Sequence, residues 1–104
     1  MVKRIAWNKR ALEKLDEIVD YLEENFSEKT ASNFVEKVFD RLDILSRYPE
    51  IGRKSKKKKN IKFHKIDKHR DLYYRIDGKN LIVVYIFDTR QKKKKNPYWE
   101  VKRQ

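Results

Sequence analysis

The sequence predicts an α+β fold of two layers: an N-terminal strand, a helical hairpin, and then an antiparallel sheet of three to four strands. The hydrophobic period carries this reading. Apolar residues recur every three to four positions between residues 9 and 48, and every second position from residue 60 onward. Length supports it as well. With 104 residues, 38% of them hydrophobic and 12% aromatic, the chain can enclose one thin core, so residues 1–104 are expected to form a single domain. No internal repeat or linker interrupts it.

Ile5 and Trp7 alternate with Arg4 and Ala6, which predicts the first strand. Asn8 offers a side-chain oxygen to cap a helix beginning near Lys9. Along that helix Ala11, Leu12, Leu15, Ile18, Val19, Leu22 and Phe26 form an apolar stripe, while Glu13, Lys14, Asp16, Glu17 and Asp20 face water. Asn25 suits a left-handed helix end and Ser27 can cap the next helix, so a tight helical hairpin is expected. The second helix presents Ala31, Phe34, Val35, Val38, Leu42 and Leu45, and it must stop near Tyr48, because a proline at 49 disfavours helical geometry in the residue before it.

Pro49-Glu50-Ile51-Gly52-Arg53 reads as a turn. Ile61 and Phe63 then alternate with Lys62 and His64, and Leu72, Tyr74 and Ile76 with Tyr73 and Arg75, each set predicting a strand with one buried face. Asp77-Gly78, with Lys79-Asn80 lengthening the loop, is a hairpin signal. The wholly apolar run over residues 81–87 reads as a central strand covered on both faces. Asn96-Pro97-Tyr98-Trp99-Glu100-Val101 is left as a short edge strand or a tail.

Charge divides the chain. Residues 1–50 carry 9 basic and 11 acidic side chains, a balance of −2, whereas residues 51–104 carry 19 and 5, a balance of +14. The basic half includes two four-lysine runs, at 56–59 and 92–95, and like charges packed so closely favour a polyanionic partner. The absence of cysteine removes disulfides and thiolate metal sites, and two histidines make a poor zinc site, so no metal or other cofactor is expected. No apolar run is long enough to span a bilayer, and the N-terminus lacks the apolar stretch of a secretion signal, so no membrane role is expected and a reducing cytoplasm fits best.

In a meander of three antiparallel strands, the end of the first, the start of the second and the end of the third meet at one edge of the sheet. That topology gathers His64, Lys65, Lys68, His69, Arg70, Arg90 and the second lysine run at one rim, with the first run at the other end. Metal-free RNA cleavage needs a base for the 2′-hydroxyl, an acid for the leaving oxygen, and cations for the charge growing on phosphorus. His64, His69, Lys65, Arg90 and Tyr98 are therefore the catalytic candidates, with Lys65 considered as a proton carrier because neighbouring cations would disfavour its charged form. Lys62, Lys68, Arg70, Arg75, Lys92, Lys93, Lys94 and Lys95 are the candidate nucleic-acid contacts. A glycine-rich phosphate loop, a nucleophile elbow and a magnesium-holding acidic cluster are all missing.

Several segments together resemble the RelE/ParE superfamily of toxins from type II toxin–antitoxin systems. They are the Ile5-Ala6-Trp7 opening, the helical hairpin, Tyr48-Pro49-Glu50-Ile51-Gly52-Arg53, Leu72-Tyr73-Tyr74-Arg75-Ile76, and Phe87-Asp88-Thr89-Arg90-Gln91. The Pro-Glu-Ile-Gly-Arg turn resembles the ParE-like and plasmid-stabilisation branch more than RelE itself. The resemblance implies a toxin neutralised by an acidic antitoxin, and it implies one of two activities. The RelE branch cuts mRNA on the ribosome, whereas the ParE branch inhibits DNA gyrase without cleaving anything itself. It matches the family's arginine after the last core strand to Arg90, its basic residue at the end of the preceding strand to Lys65, and its C-terminal tyrosine or histidine to Tyr98. The arginine that RelE-type enzymes carry before the long strand falls here at Asp71, with Arg70 one place away. The expectation is a ribosome-dependent mRNA endonuclease, the alternative being a gyrase-inhibiting toxin.

Overall fold

The computed structural model describes residues 2, 4–58, 60–91 and 95–98. Strand β1 (Arg4–Trp7) leads into helices α1 (Lys9–Asn25) and α2 (Glu28–Arg47). A 3-10 turn (Pro49–Ile51) and strands β2 (Arg53–Lys54), β3 (Lys62–Lys65), β4 (Arg70–Asp77) and β5 (Asn80–Asp88) follow. The α+β class and the hairpin of helices stand as expected. The caps do so atom by atom: Asn8 Oδ1 accepts from Ala11 N at 2.8 Å, and Ser27 Oγ from Thr30 N at 3.0 Å.

The sheet has five strands, in the order β1-β5-β4-β3-β2. Two of its pairings lay beyond the sequence reading. β1 adds parallel to β5, with Trp7 opposite Val83, and β2, only two residues long, pairs antiparallel with β3. The middle strand is therefore β4, and the apolar 81–87 run lies one place from the edge, between β1 and β4. The β4–β5 loop is also tighter than expected, because Asp77 pairs with Asn80 and leaves a two-residue turn in which Gly78 takes φ +60°, a conformation costly for a side-chain-bearing residue. Asn25 does not end α1 in the left-handed region. Among the described residues only Gly78 has positive φ, and the Asn25 side chain instead donates back to Tyr21 O at 2.9 Å.

A register shift decides what each face of β5 covers. Tyr73 lies opposite Tyr85 but Tyr74 opposite Val83, which leaves Val84 as an extra residue and makes the run change sides. Leu81, Val83 and Ile86 join Leu72, Tyr74, Val38, Leu42 and Leu45 in the core beneath the helices. Ile82, Val84, Tyr85 and Phe87 turn to the outer face with Ile61, Phe63, Tyr73 and Tyr98. The α1 stripe is only partly buried: Ala11 and Leu22 are in the core, Leu15, Ile18 and Val19 are half-buried, and Leu12 and Phe26 are exposed.

Candidate functional site

The β3–β4 connection places the basic rim. Ile66 is buried as a plug, and its amide donates to Arg70 O at 2.9 Å, closing a bend over residues 66–69. Asp67 Oδ1 accepts from His69 N at 2.9 Å, and His69 O accepts from both the amide (2.7 Å) and the hydroxyl (3.1 Å) of Thr89, which ties this bend to the end of β5. Lys65 is paired with Asp71 and Arg70 with Asp88, so the end of β3, the start of β4 and the end of β5 do meet at one edge. Of the first lysine run, Lys56, Lys57 and Lys58 follow Lys54, at the far end of β3.

Side-chain direction breaks up the cluster that topology assembled. Residues paired directly across strands share a face. His64 lies opposite Leu72 and Lys62 opposite Tyr74, both members of the core under the helices, whereas Lys65 lies opposite Asp71 and Phe63 opposite Tyr73, on the outer face. His64 and Lys65 thus leave the strand on opposite faces, although both border the cleft beside β3. Arg70 is mostly buried, with its guanidinium carbon 5.1 Å from the centre of the Phe34 ring and Nη1 3.4 Å from Asp67 Oδ2, and it lines one pocket with Asp88 and Arg90. Arg90 is exposed but engaged by Asp88, donating from Nε at 3.0 Å and Nη2 at 2.6 Å. That clamp, with burial opposing it, holds the Asp88 carboxyl below its ordinary value and raises Arg90 in turn.

Tyr98 is placed away from this rim. Its ring stacks on Tyr73 at 5.5 Å and leans on Tyr85, and Lys58 Nζ lies 6.0 Å above it, so its cationic neighbour comes from the first lysine run. Asn96, buried, donates to the Tyr73 hydroxyl at 2.8 Å and accepts from Tyr98 N at 2.9 Å, while Ser55 donates to Tyr98 O. Burial raises the Tyr73 phenol above its usual range. Lys68 and Lys95 are exposed, and Arg75, on the outer face, lies 3.6 Å from Asp77. Lys92, Lys93 and Lys94 lie outside the described residues, as does Lys59.

A cleft of about 510 Å³ beside β3 is bordered by Ile51, Arg53, Phe63, Lys65, Asp71 and Thr89, and His64 reaches its wall as well. Arg53 and Phe63 are cross-strand partners. In the sequence Arg53 reads only as part of a turn and Phe63 only as a strand residue, because the short β2 that brings them together leaves almost no periodic signal. Asp71 is 8% exposed, and its Oδ1 accepts no hydrogen bond among the described residues. Lys65 Nζ stands 3.8 Å from that oxygen, so the surroundings of Lys65 include a carboxylate and are not the purely cationic set expected from the sequence. Burial raises the Asp71 carboxyl above its ordinary value of 3.8, with Lys65 opposing the shift.

A carboxyl raised on folding contributes stability that is complete below its unfolded pKa and is lost as pH climbs through its folded value. At neutral pH a charged Asp71 is therefore a cost. Asp71→Asn keeps the shape without the charge, so it is expected to melt higher than the parent at neutral pH, with the difference closing in acid; thermal melts across that pH range check this. Asp88 has the opposite sign: its stabilisation is present above the ordinary carboxylate range and fades as pH falls through its lowered value.

Among the described residues no group of three or more His, Asp or Glu is arranged to hold a metal, and no helix is long and apolar enough to cross a membrane.

The family model described as the ParE toxin of type II toxin–antitoxin system, parDE, matches residues 5–93. A Sinorhizobium fredii protein named "Putative toxin Y4kP" is 41% identical over 51 residues, covering 49% of this chain and 52% of that protein, so the match spans about half of each. A solved chain of the chromosomal ParDE system from P. aeruginosa superposes with a TM-score of 0.71 at 16% identity, covering 85% of this chain and 96% of the other. The YoeB/ParE toxin from Agrobacterium tumefaciens superposes with a TM-score of 0.56 at 16% identity, over 83% and 98%. A chain from the heterotetrameric YoeB-YefM toxin–antitoxin complex of Staphylococcus aureus gives 0.53 at 18% identity, over 82% and 93%. At such identities these structures share the fold.

Proposed function

We propose, from the premise that the chain belongs to the ParE toxin family of type II toxin–antitoxin systems, that it acts in the cytoplasm by binding DNA gyrase and does not cut RNA. One observation carries the reading: the groups that would have to move protons do not converge. His64 and Lys65 border one cleft, but Arg90 is held by Asp88 at a different pocket and Tyr98 is packed on Tyr73, so the full set does not meet at one point. General acid–base catalysis requires its donors and acceptors within hydrogen-bond reach of one substrate. A binding toxin has no such requirement. Asp71 supports the same reading, because a buried carboxylate where RelE-type enzymes carry an arginine repels a scissile phosphate.

Supercoiling by purified gyrase tests this. The toxin is expected to block supercoiling and leave gyrase-dependent DNA breaks, while mRNA on purified ribosomes stays intact. Cleaved mRNA with unaffected gyrase overturns the reading in favour of a ribosome-dependent mRNA endonuclease. That second reading draws on the shared edge holding Lys65, Lys68, His69 and Arg90, a cationic ledge suited to a polyanion.

The partner is an antitoxin. An acidic one fits the +12 chain, and the exposed apolar side chains Phe26, Phe39, Tyr48 and Ile51 offer it surface to bury.

A further inference from the structure

We propose that Tyr98 and the lysine loop beside it form a contact site for single-stranded nucleic acid, in which an unpaired base stacks on the tyrosine ring and Lys57 and Lys58 neutralise the backbone. This goes beyond the gyrase reading and does not depend on it. Its starting point is a column of rings. Tyr73 stacks with both Phe63 and Tyr98 on the outer face of the sheet, with ring centres 5.1 and 5.5 Å apart and planes inclined by 26° and 25°. Tyr73 is enclosed between them, whereas Tyr98 is only half-buried, so part of its ring faces solvent.

A single hydroxyl brings the cations to this ring. Ser55, buried, donates through Oγ to Tyr98 O and accepts from the amides of Lys57 at 3.3 Å and Lys58 at 3.4 Å. The backbone that carries the lysines is thereby tied to the segment that carries the tyrosine. Asn96 braces that segment from below, through the Tyr73 hydroxyl and the Tyr98 amide. Lys58 Nζ lies 6.0 Å over the Tyr98 ring, and both Lys57 and Lys58 are exposed. Residues 51–66 contain no acidic side chain, and no ion pair among the described residues involves Lys57 or Lys58.

An uncompensated cationic loop attracts any polyanion, and the ring selects among them. An acidic peptide offers charge without a flat face to lay on tyrosine. A duplex keeps its base faces inside its own stack. A single strand presents both requirements together, because its phosphates release counterions to the lysines while an unstacked base takes the aromatic surface, with Lys58 moving from the ring to a phosphate.

Fluorescence-anisotropy titration of the full chain with a labelled thymidylate octamer, a uridylate octamer, a DNA duplex of equal charge and poly-glutamate tests the site. Both single strands should bind more tightly than the duplex or poly-glutamate. Tyr98→Leu, which keeps an apolar cover over Tyr73, should weaken the single strands roughly five- to hundred-fold, the range for one stacked base, and Tyr98→Phe should restore them. Lys57→Gln combined with Lys58→Gln should reduce the slope of log affinity against log salt by about 1.4, at roughly 0.7 for each phosphate. The matched pair Lys29→Gln and Lys37→Gln, exposed on α2, removes the same charge from the helical layer and should leave that slope unchanged. Tighter binding of thymidylate assigns DNA as the source of the strand, tighter binding of uridylate assigns RNA, and equal binding assigns recognition of base and phosphate without the sugar. Duplex or poly-glutamate bound as tightly as the single strands, absence of binding to either strand, or a Tyr98→Leu variant that binds unchanged overturns the proposal. No gyrase is present in this experiment, so its outcome is independent of the supercoiling test.

Discussion

Leu72→Ala is expected to lower the unfolding free energy by about 2–5 kcal/mol, the range for deleting a fully enclosed leucine and leaving a cavity. Leu72 is 0% exposed and lies on β4, the middle strand, where it faces the helices among Val38, Leu42, Leu45 and Ile86. Ile86 is also its cross-strand partner. Tightly bonded strands on both sides prevent the backbone from collapsing into the space. A domain of this size is stable by roughly 5–15 kcal/mol in all, so the variant should show a much lower urea midpoint with little change in slope. Leu15→Ala is the control. Leu15 only borders that core from α1, so its truncation should cost about 1–2 kcal/mol, in proportion to the smaller area removed from water. Equal losses for the two variants would contradict the burial assigned to the helix stripe.

The second large effect is expected at Gly52. Its φ of −66° is available to any residue, so the demand for glycine is spatial rather than conformational. A Cβ at this position would lie 2.8 Å from Tyr74 Cε1 and 2.9 Å from Cζ, and would overlap the hydroxyl oxygen. Tyr74 cannot retreat, being 0% exposed, and its hydroxyl donates to Pro49 O at 2.6 Å and accepts from Gly52 N at 3.1 Å. Gly52→Ala should therefore cost on the order of 1–3 kcal/mol through overpacking, and more if both hydrogen bonds are lost. Calorimetry should register a fall of several degrees in Tm, at roughly 4–8 °C per kcal/mol. An unchanged Tm would mean that Tyr74 has room the structure does not show.

The turn around Gly52 illustrates how far a sequence can be read. Pro49-Glu50-Ile51-Gly52-Arg53 is recognisable as a turn because proline and glycine restrict or free the backbone locally. Nothing local says that Tyr74, 22 residues further on, closes over it, or that Arg53 begins a strand. The apolar run at 81–87 shows the same boundary in another form. Its hydrophobicity announces a strand covered on both faces, yet a run without alternation carries no phase, so the extra residue at Val84 and the resulting division between two cores are invisible in it.

Helices, caps, the hairpin at Gly78 and the meeting of strand ends at one basic edge were all contained in the sequence. They follow from local periodicity, from capping groups a few residues apart, and from the alternation of direction in an antiparallel meander. Which rim side chains can act together was decided only by the tertiary structure. Tyr98 is packed away from the rim, on Tyr73. Asp88 occupies Arg90, and Phe34 and Asp67 engage Arg70. The physical reason is that charge and residue type are properties of a position, whereas convergence depends on contacts between elements far apart in the chain. The cleft that unites Arg53, Phe63, Lys65 and Asp71 exists only because three strands pair in one register.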